Sequence, residues 1–133
     1  MATLAPAKKR VLLVDDDASS LVALAQLLGD EFDVDVAHDG FEGYARALQS
    51  PVPDVVITDV DMPKMNGTTM ATLIRERRRV PIIFVTALGG PLDVIKGIQA
   101  GARYYVTKPY DLADLEAKIH QALGVPSVPP EAT

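Results

Sequence analysis

Apolar residues along this chain alternate between two patterns, and the alternation repeats five times. Arg10-Val11-Leu12-Leu13-Val14-Asp15 is a nearly continuous apolar run, as expected of a strand buried on both faces. The runs 54–59 and 81–86 repeat it. Phe32-Asp33-Val34-Asp35-Val36-Ala37 alternates apolar with polar, which suits a half-exposed edge strand. Tyr104-Tyr105-Val106-Thr107 is a short fifth strand of high β-propensity. Between these runs the period becomes helical. Leu21, Leu24, Ala25 and Leu28 form the first stripe, with Gly29 as its stop. Phe41, Ala45 and Leu48 form a second after the turn dipeptide Asp39-Gly40, and Met70, Leu73 and Ile74 a third. Leu92, Ile95, Ile98 and Gln99 predict a fourth, opened by Pro91 and closed by Gly101. Leu112, Leu115, Ile119 and Leu123 predict a fifth with Asp111 as N-cap.

Strict βα alternation argues for an α/β fold, a parallel sheet wound on both faces by helices. Right-handed crossovers leave few topologies, and with five strands the expected one is the flavodoxin-like order 2-1-3-4-5. The folded unit is expected over residues 9–124. A loose arm, 1–8, precedes it, and a Pro-rich tail or linker start, 125–133, follows.

Composition narrows the function. The chain's 133 residues suit one domain with a single ordinary core. Its net charge of −5 gives no general attraction to phosphate backbones, so direct nucleic-acid binding by this segment is not expected. Without cysteine there are no disulfides, thiolate metal sites or cysteine nucleophiles, which fits a cytoplasmic protein. No apolar run nears the roughly 20 residues that span a bilayer.

In open parallel sheets, ligands bind beyond the carboxyl ends of the strands. Just past the apolar runs stand Asp15-Asp16-Asp17, Asp59, Thr86 and Lys108-Pro109. Carboxylates crowded at one edge resist ionisation unless a cation joins them, and hard oxygen ligands suit Mg²⁺. A carboxylate can then act as a nucleophile towards phosphorus, giving an aspartyl-phosphate. Phosphoryl transfer asks chiefly for positioning and charge neutralisation, which Mg²⁺ and Lys108 would supply, with a hydrogen bond from Thr86.

The blocks 11–17, 53–67, 81–87 and 100–110 resemble, in order and spacing, the strand motifs of response regulator receiver domains, the phosphoacceptor modules of two-component signalling. The resemblance covers about residues 9 to 123. It implies Asp59 as phosphoacceptor and Asp15 with Asp16 as the acidic pair for Mg²⁺. Asp16 would be the direct ligand and Asp15 would act through water, with the backbone carbonyl of Asp61 as a further ligand. It implies that Thr86 and Lys108 contact the phosphoryl group and that Lys108-Pro109 is a cis peptide. Thr86 and Tyr105 would switch together, Tyr105 turning inward. Asp61 and Leu88, two residues beyond Asp59 and Thr86, depart from the commonest pattern and occupy positions that tune the lifetime of the phosphorylated state. A histidine kinase or histidine phosphotransfer protein would be the phosphodonor. The fourth helix, fifth strand and fifth helix would form the output surface, for a homodimer or an effector.

Competing readings are weaker. Asp59-Val60-Asp61 has the nucleophile-x-acid spacing of haloacid-dehalogenase-type phosphatases, but follows the third strand rather than the first. A flavin or nucleotide binder needs a phosphate loop where Asp15-Asp16-Asp17 would repel one. A phosphorylation-independent interaction module of the same fold is the remaining alternative. Asn66-Gly67 reads as a turn, and His38 and His120 as solvated single histidines. Arg75-Glu76-Arg77-Arg78-Arg79 reads as a solvated helix end.

Overall fold

A computed structural model describes residues 7–124. The proposed tail and most of the arm lie outside the described residues. Five βα units follow in order: β1 (Arg10–Val14), α1 (Ala18–Leu28), β2 (Asp33–Ala37), α2 (Gly40–Leu48), β3 (Val55–Thr58), α3 (Gly67–Arg77), β4 (Ile82–Thr86), α4 (Pro91–Gln99), β5 (Tyr104–Thr107) and α5 (Leu112–Leu123). The strands are all parallel in the order β2-β1-β3-β4-β5, as the alternation predicts.

The period of two along each strand divides the core between the two faces of the sheet. Val11, Leu13, Ile57, Ile83 and Val85 join Leu21, Leu28, Leu115 and Ile119 of α1 and α5. Leu12, Val14, Val56, Ile82 and Phe84 join Ala47 of α2 and Met70, Ala71 and Ile74 of α3. Each large apolar side chain buried in this way contributes roughly 1.5–3 kcal/mol, and β1, β3 and β4 are buried along almost their whole length. That fixes the central strands and therefore the residues at their ends.

Local signals set the helix starts. The side chains of Asp17, Asp39, Asn66 and Asp111 each accept a hydrogen bond from a first-turn N–H of the following helix. Pro91 opens α4, and Gly101 turns the chain beyond it at φ 105°.

Two helices face differently from their expected stripes. In α2, Phe41 is exposed, and the buried residues are Gly40, Gly43 and Ala47. A Cβ on Gly43 would stand 2.6 Å from Met70 Sδ and 3.0 Å from Val14 Cγ2, so the inward face is made of small residues that permit close approach. In α4, Leu92, Ile95 and Ile98 point to solvent, and Gly97 is the buried residue. Hydrophobicity marked the correct period in α4 but not the face that packs.

Two further expectations are corrected. His120 is not a free solvated side chain: its Nε2 lies 2.6 Å from Glu31 Oε2, and its ring packs near Phe32. Arg78 is tied down, donating to the Ala47 and Pro53 carbonyls.

Candidate functional site

The site lies at the carboxyl edge of the three central strands and β5. Asp15 directly follows β1 and Asp59 directly follows β3, and these strands are neighbours, with the Asp59 N–H donating to the Val14 carbonyl at 3.0 Å. Lys108 follows β5, where its N–H donates to the Thr86 carbonyl at 2.8 Å. Its Nζ lies 3.2 Å from Asp15 Oδ2 and 3.4 Å from Asp59 Oδ2. The Lys108–Pro109 bond is cis, as the resemblance implies.

The two oxygens of Asp59 have different surroundings. Oδ1 accepts from the N–H groups of Val60 (2.7 Å) and Asp61 (3.2 Å), while Oδ2 faces Lys108. Asp15 Oδ1 accepts from the Asp17 N–H at 3.0 Å. Burial pushes the Asp15 carboxyl above its ordinary pKa; the Asp17 N–H and Lys108 offset this only in part, and the Asp59 charge adds to it. Burial alone would lower the Lys108 ammonium, but its pairing with Asp59 and Asp15 outweighs that and holds it above its usual value.

Asp15, Asp16 and Asp59 each place one carboxylate oxygen within 4.8 Å of the others. Three carboxylates against one ammonium leave two net negative charges, the complement of a divalent cation. Asp16 is exposed and Asp15 buried, so the trio opens to solvent on one side. An all-oxygen set with access for water suits Mg²⁺ rather than a softer metal. Asp15, Asp59 and Lys108 also line a cavity of about 350 Å³ whose other walls include Leu21, Leu24 and Leu27 of α1 and Tyr110.

Thr86 is fully buried, and its hydroxyl accepts from the Leu88 N–H at 3.3 Å rather than bonding to Asp59. Tyr105 is turned inward, its hydroxyl donating to the Leu88 carbonyl at 2.5 Å and its ring meeting Phe84 edge-on at 6.0 Å. Burial raises the Tyr105 phenol pKa, helped by the charges of Asp93 and Asp59. The backbone of Leu88 therefore joins the two residues that sequence analysis paired as a switch. Asp61 is exposed, and its N–H rather than its side chain reaches Asp59.

Sequence reasoning missed Gly67. A Cβ there would fall 2.1 Å from the Asp59 carbonyl oxygen, and the Gly67 N–H donates to the Val60 carbonyl at 2.8 Å. The signal was Asn66-Gly67 itself, read only as a turn: Asn66 caps α3, and Gly67 lets that helix start against the Asp59 backbone.

Residues 11–120 match the family model described as the response regulator receiver domain. The chain belongs to this family. It is 41% identical over 119 residues to a probable transcriptional regulator, ycf27, of Guillardia theta, a match covering 87% of this chain and 46% of that protein. This receiver domain therefore spans about half the length of the curated relatives it matches. It is also similar to the chemotaxis protein CheY4 of Vibrio cholerae (TM-score 0.81, 30% identity, covering 88% of this chain and all of that one). A second similar structure is the CheX–CheY–BeF₃–Mg²⁺ complex from Borrelia burgdorferi, with TM-score 0.80 and 30% identity, covering 86% of this chain and 89% of the matched one.

Proposed function

We propose that this receiver domain takes a phosphoryl group onto Asp59 from a phosphohistidine donor, a histidine kinase or phosphotransfer protein, and that the adduct switches its output surface. The observation that carries the reading is Lys108 Nζ lying between Asp15 and Asp59 in a carboxylate trio with two unbalanced negative charges. In the transfer, the phosphorus–nitrogen bond of the donor breaks as an Asp59 oxygen bonds to phosphorus. The backbone N–H groups of Val60 and Asp61 hold Asp59 Oδ1, so the carboxylate is oriented before reaction. Lys108 stands where it can neutralise charge on the equatorial oxygens. Mg²⁺ bound by Asp16, Asp59 and the Asp61 carbonyl, and by Asp15 through water, would supply the remaining charge neutralisation.

Thr86 would give up its bond with Leu88 to meet the phosphoryl group, with Tyr105 held inward behind it. Asp61, exposed beside Asp59, and Leu88, half-buried by Thr86, are in place to tune the adduct's lifetime. The output surface would be α4, β5 and α5. Supporting it, α4 carries the exposed row Leu92, Ile95 and Ile98, with relative exposures of 72%, 49% and 59%. A second copy or an effector domain would cover this row. Residues 9–124 form the switching unit in this reading, and its net negative charge leaves any contact with nucleic acid to other parts of a regulator.

The test is intact mass after incubation with acetyl phosphate and Mg²⁺, for wild type, Asp59→Asn and an EDTA control. One Mg²⁺-dependent phosphoryl adduct, absent in Asp59→Asn, is expected. A folded wild type that gains no adduct and does not respond to beryllofluoride would overturn the reading in favour of a phosphorylation-independent interaction module.

A further inference from the structure

Helix α4 meets the sheet at a place where it has no side chain. Gly97 is its buried residue, and a Cβ there would stand 2.6 Å from both Cδ2 and Cε2 of Tyr105 and 3.0 Å from Cδ2 of Phe84. Carbon atoms do not approach to 2.6 Å without bonding, so the Tyr105 ring and a side chain at position 97 exclude one another. The ring is held on its other sides as well. Phe84 meets it edge-on at an interplanar angle of 89°, and the Leu88 carbonyl accepts from its hydroxyl. Through the Leu88 N–H, which donates to Thr86, the contacts run unbroken from the end of β4 to the inner face of α4.

Glycine inside a helix is destabilising relative to alanine, so its presence at the packed face needs a compensating contact. The Tyr105 ring is that contact: it occupies the space that another residue's side chain would take. On the far side of the same helix lies the exposed row Leu92, Ile95 and Ile98. The thickness of whatever lies beneath Gly97 thus sets how far this row stands off the sheet.

We propose that Gly97 is a positioning residue: it is the seat that admits the inward Tyr105 ring, and occupancy of that seat fixes the placement of α4 and its apolar row. The inference rests on the reading of Asp59 as phosphoacceptor only for what would drive the ring in or out. The seat itself depends on geometry alone.

The test uses the whole chain labelled with 3-fluorotyrosine, in which the Tyr105 resonance is assigned as the one of four lost in Tyr105→Phe. In Gly97→Ala the Tyr105 resonance is expected to move to the position of a solvent-exposed tyrosine, with Tyr44 and Tyr110 unmoved. Thermal denaturation gives a second readout. Gly97→Ala lowers Tm when Tyr105 is present and lowers it far less in a Tyr105→Ala background, where only the 3.0 Å approach to Phe84 opposes alanine's better helix propensity. If Gly97→Ala does not fold by itself, recovery of a cooperative transition in the double variant supports the seat. Failure of the double variant to recover overturns it. An unmoved Tyr105 resonance, or an equal drop in Tm in both backgrounds, also overturns it, because Gly97 would then serve helix packing in general. A beryllofluoride–Mg²⁺ titration of wild type, followed at the same resonance, reads the phosphoacceptor separately: no response would count against Asp59 while the two Gly97 readouts still decide the seat.

Discussion

Gly67 lies so close beneath Asp59 that a single added carbon would collide with the Asp59 carbonyl oxygen, at 2.1 Å. The obstacle is backbone, which cannot rotate aside as a side chain can. Gly67→Ala must therefore move either the start of α3 or the loop that carries the proposed phosphoacceptor. We expect a loss of about 2 kcal/mol in stability, within the usual range for overpacking, and phosphorylation by acetyl phosphate slowed well beyond what the unfolded fraction explains. Urea denaturation and adduct formation rates, measured on one preparation, would check this. Wild-type values for both would mean the loop adapts at no cost.

Lys108 partly neutralises Asp15 and Asp59, so its removal leaves a cluster of like charges. Lys108→Met is expected to cost about 1 kcal/mol without metal, a modest figure because the ammonium is partly screened by solvent. Added Mg²⁺ should recover much of that loss, while phosphorylation stays impaired. Thermal melts with EDTA or Mg²⁺ test the first part and intact mass the second. A Lys108→Met protein that phosphorylates at the wild-type rate would remove Lys108 from the mechanism.

Metal binding to the folded carboxylate trio should stabilise wild type by mass action. At a free Mg²⁺ concentration about a hundredfold above Kd the gain is about 2.7 kcal/mol. Asp16→Asn and Asp59→Asn should each flatten the dependence of Tm on Mg²⁺. A Tm that rises equally in these variants would show that the ion acts elsewhere.

Glu42 holds the start of α2. Its Oε1 accepts from the His38 N–H at 2.6 Å, and this bond is the largest cause of a carboxyl pKa below the ordinary 4.5. Because the folded value is the depressed one, the stabilisation is complete above the ordinary value and is lost as pH falls through the folded value. Glu42→Gln should therefore be less stable than wild type at pH 7, and the difference should shrink below pH 4.5. Urea midpoints of both proteins across that range measure it; a constant gap would mean that the charge contributes nothing.

The exposed α4 row separates surface from core. Leu92→Ser and Ile98→Ser should each change stability by no more than about 0.5 kcal/mol, since both side chains face solvent. Ile74→Ala, on the buried face of α3, should cost about 2–5 kcal/mol. Chemical denaturation of the three variants checks the contrast, and a large loss from Leu92→Ser would mean that α4 packs the other way round.

The order of elements, the parallel sheet and the clustering of Asp15, Asp59 and Lys108 could all be read from the amino-acid order alone. These follow from local periodicity and from the rule that strand ends converge at one edge of a parallel sheet, both of which can be read without knowing any long-range distance. Asp111 was legible as a helix-start residue for the same local reason. Which faces of α2 and α4 pack emerged from folding. Hydrophobic periodicity records where apolar residues recur, but Gly43 and Gly97 pack by having no side chain and so leave no hydrophobic signal. The pairing of His120 with Glu31, the link from Thr86 through Leu88 to Tyr105, and the contact of Gly67 with Asp59 likewise depend on close approach between segments distant in the chain or at a tight turn. Polar pattern and propensity fix the element; close contact across elements, where one carbon atom more or less decides the fit, exists only once the chain has folded.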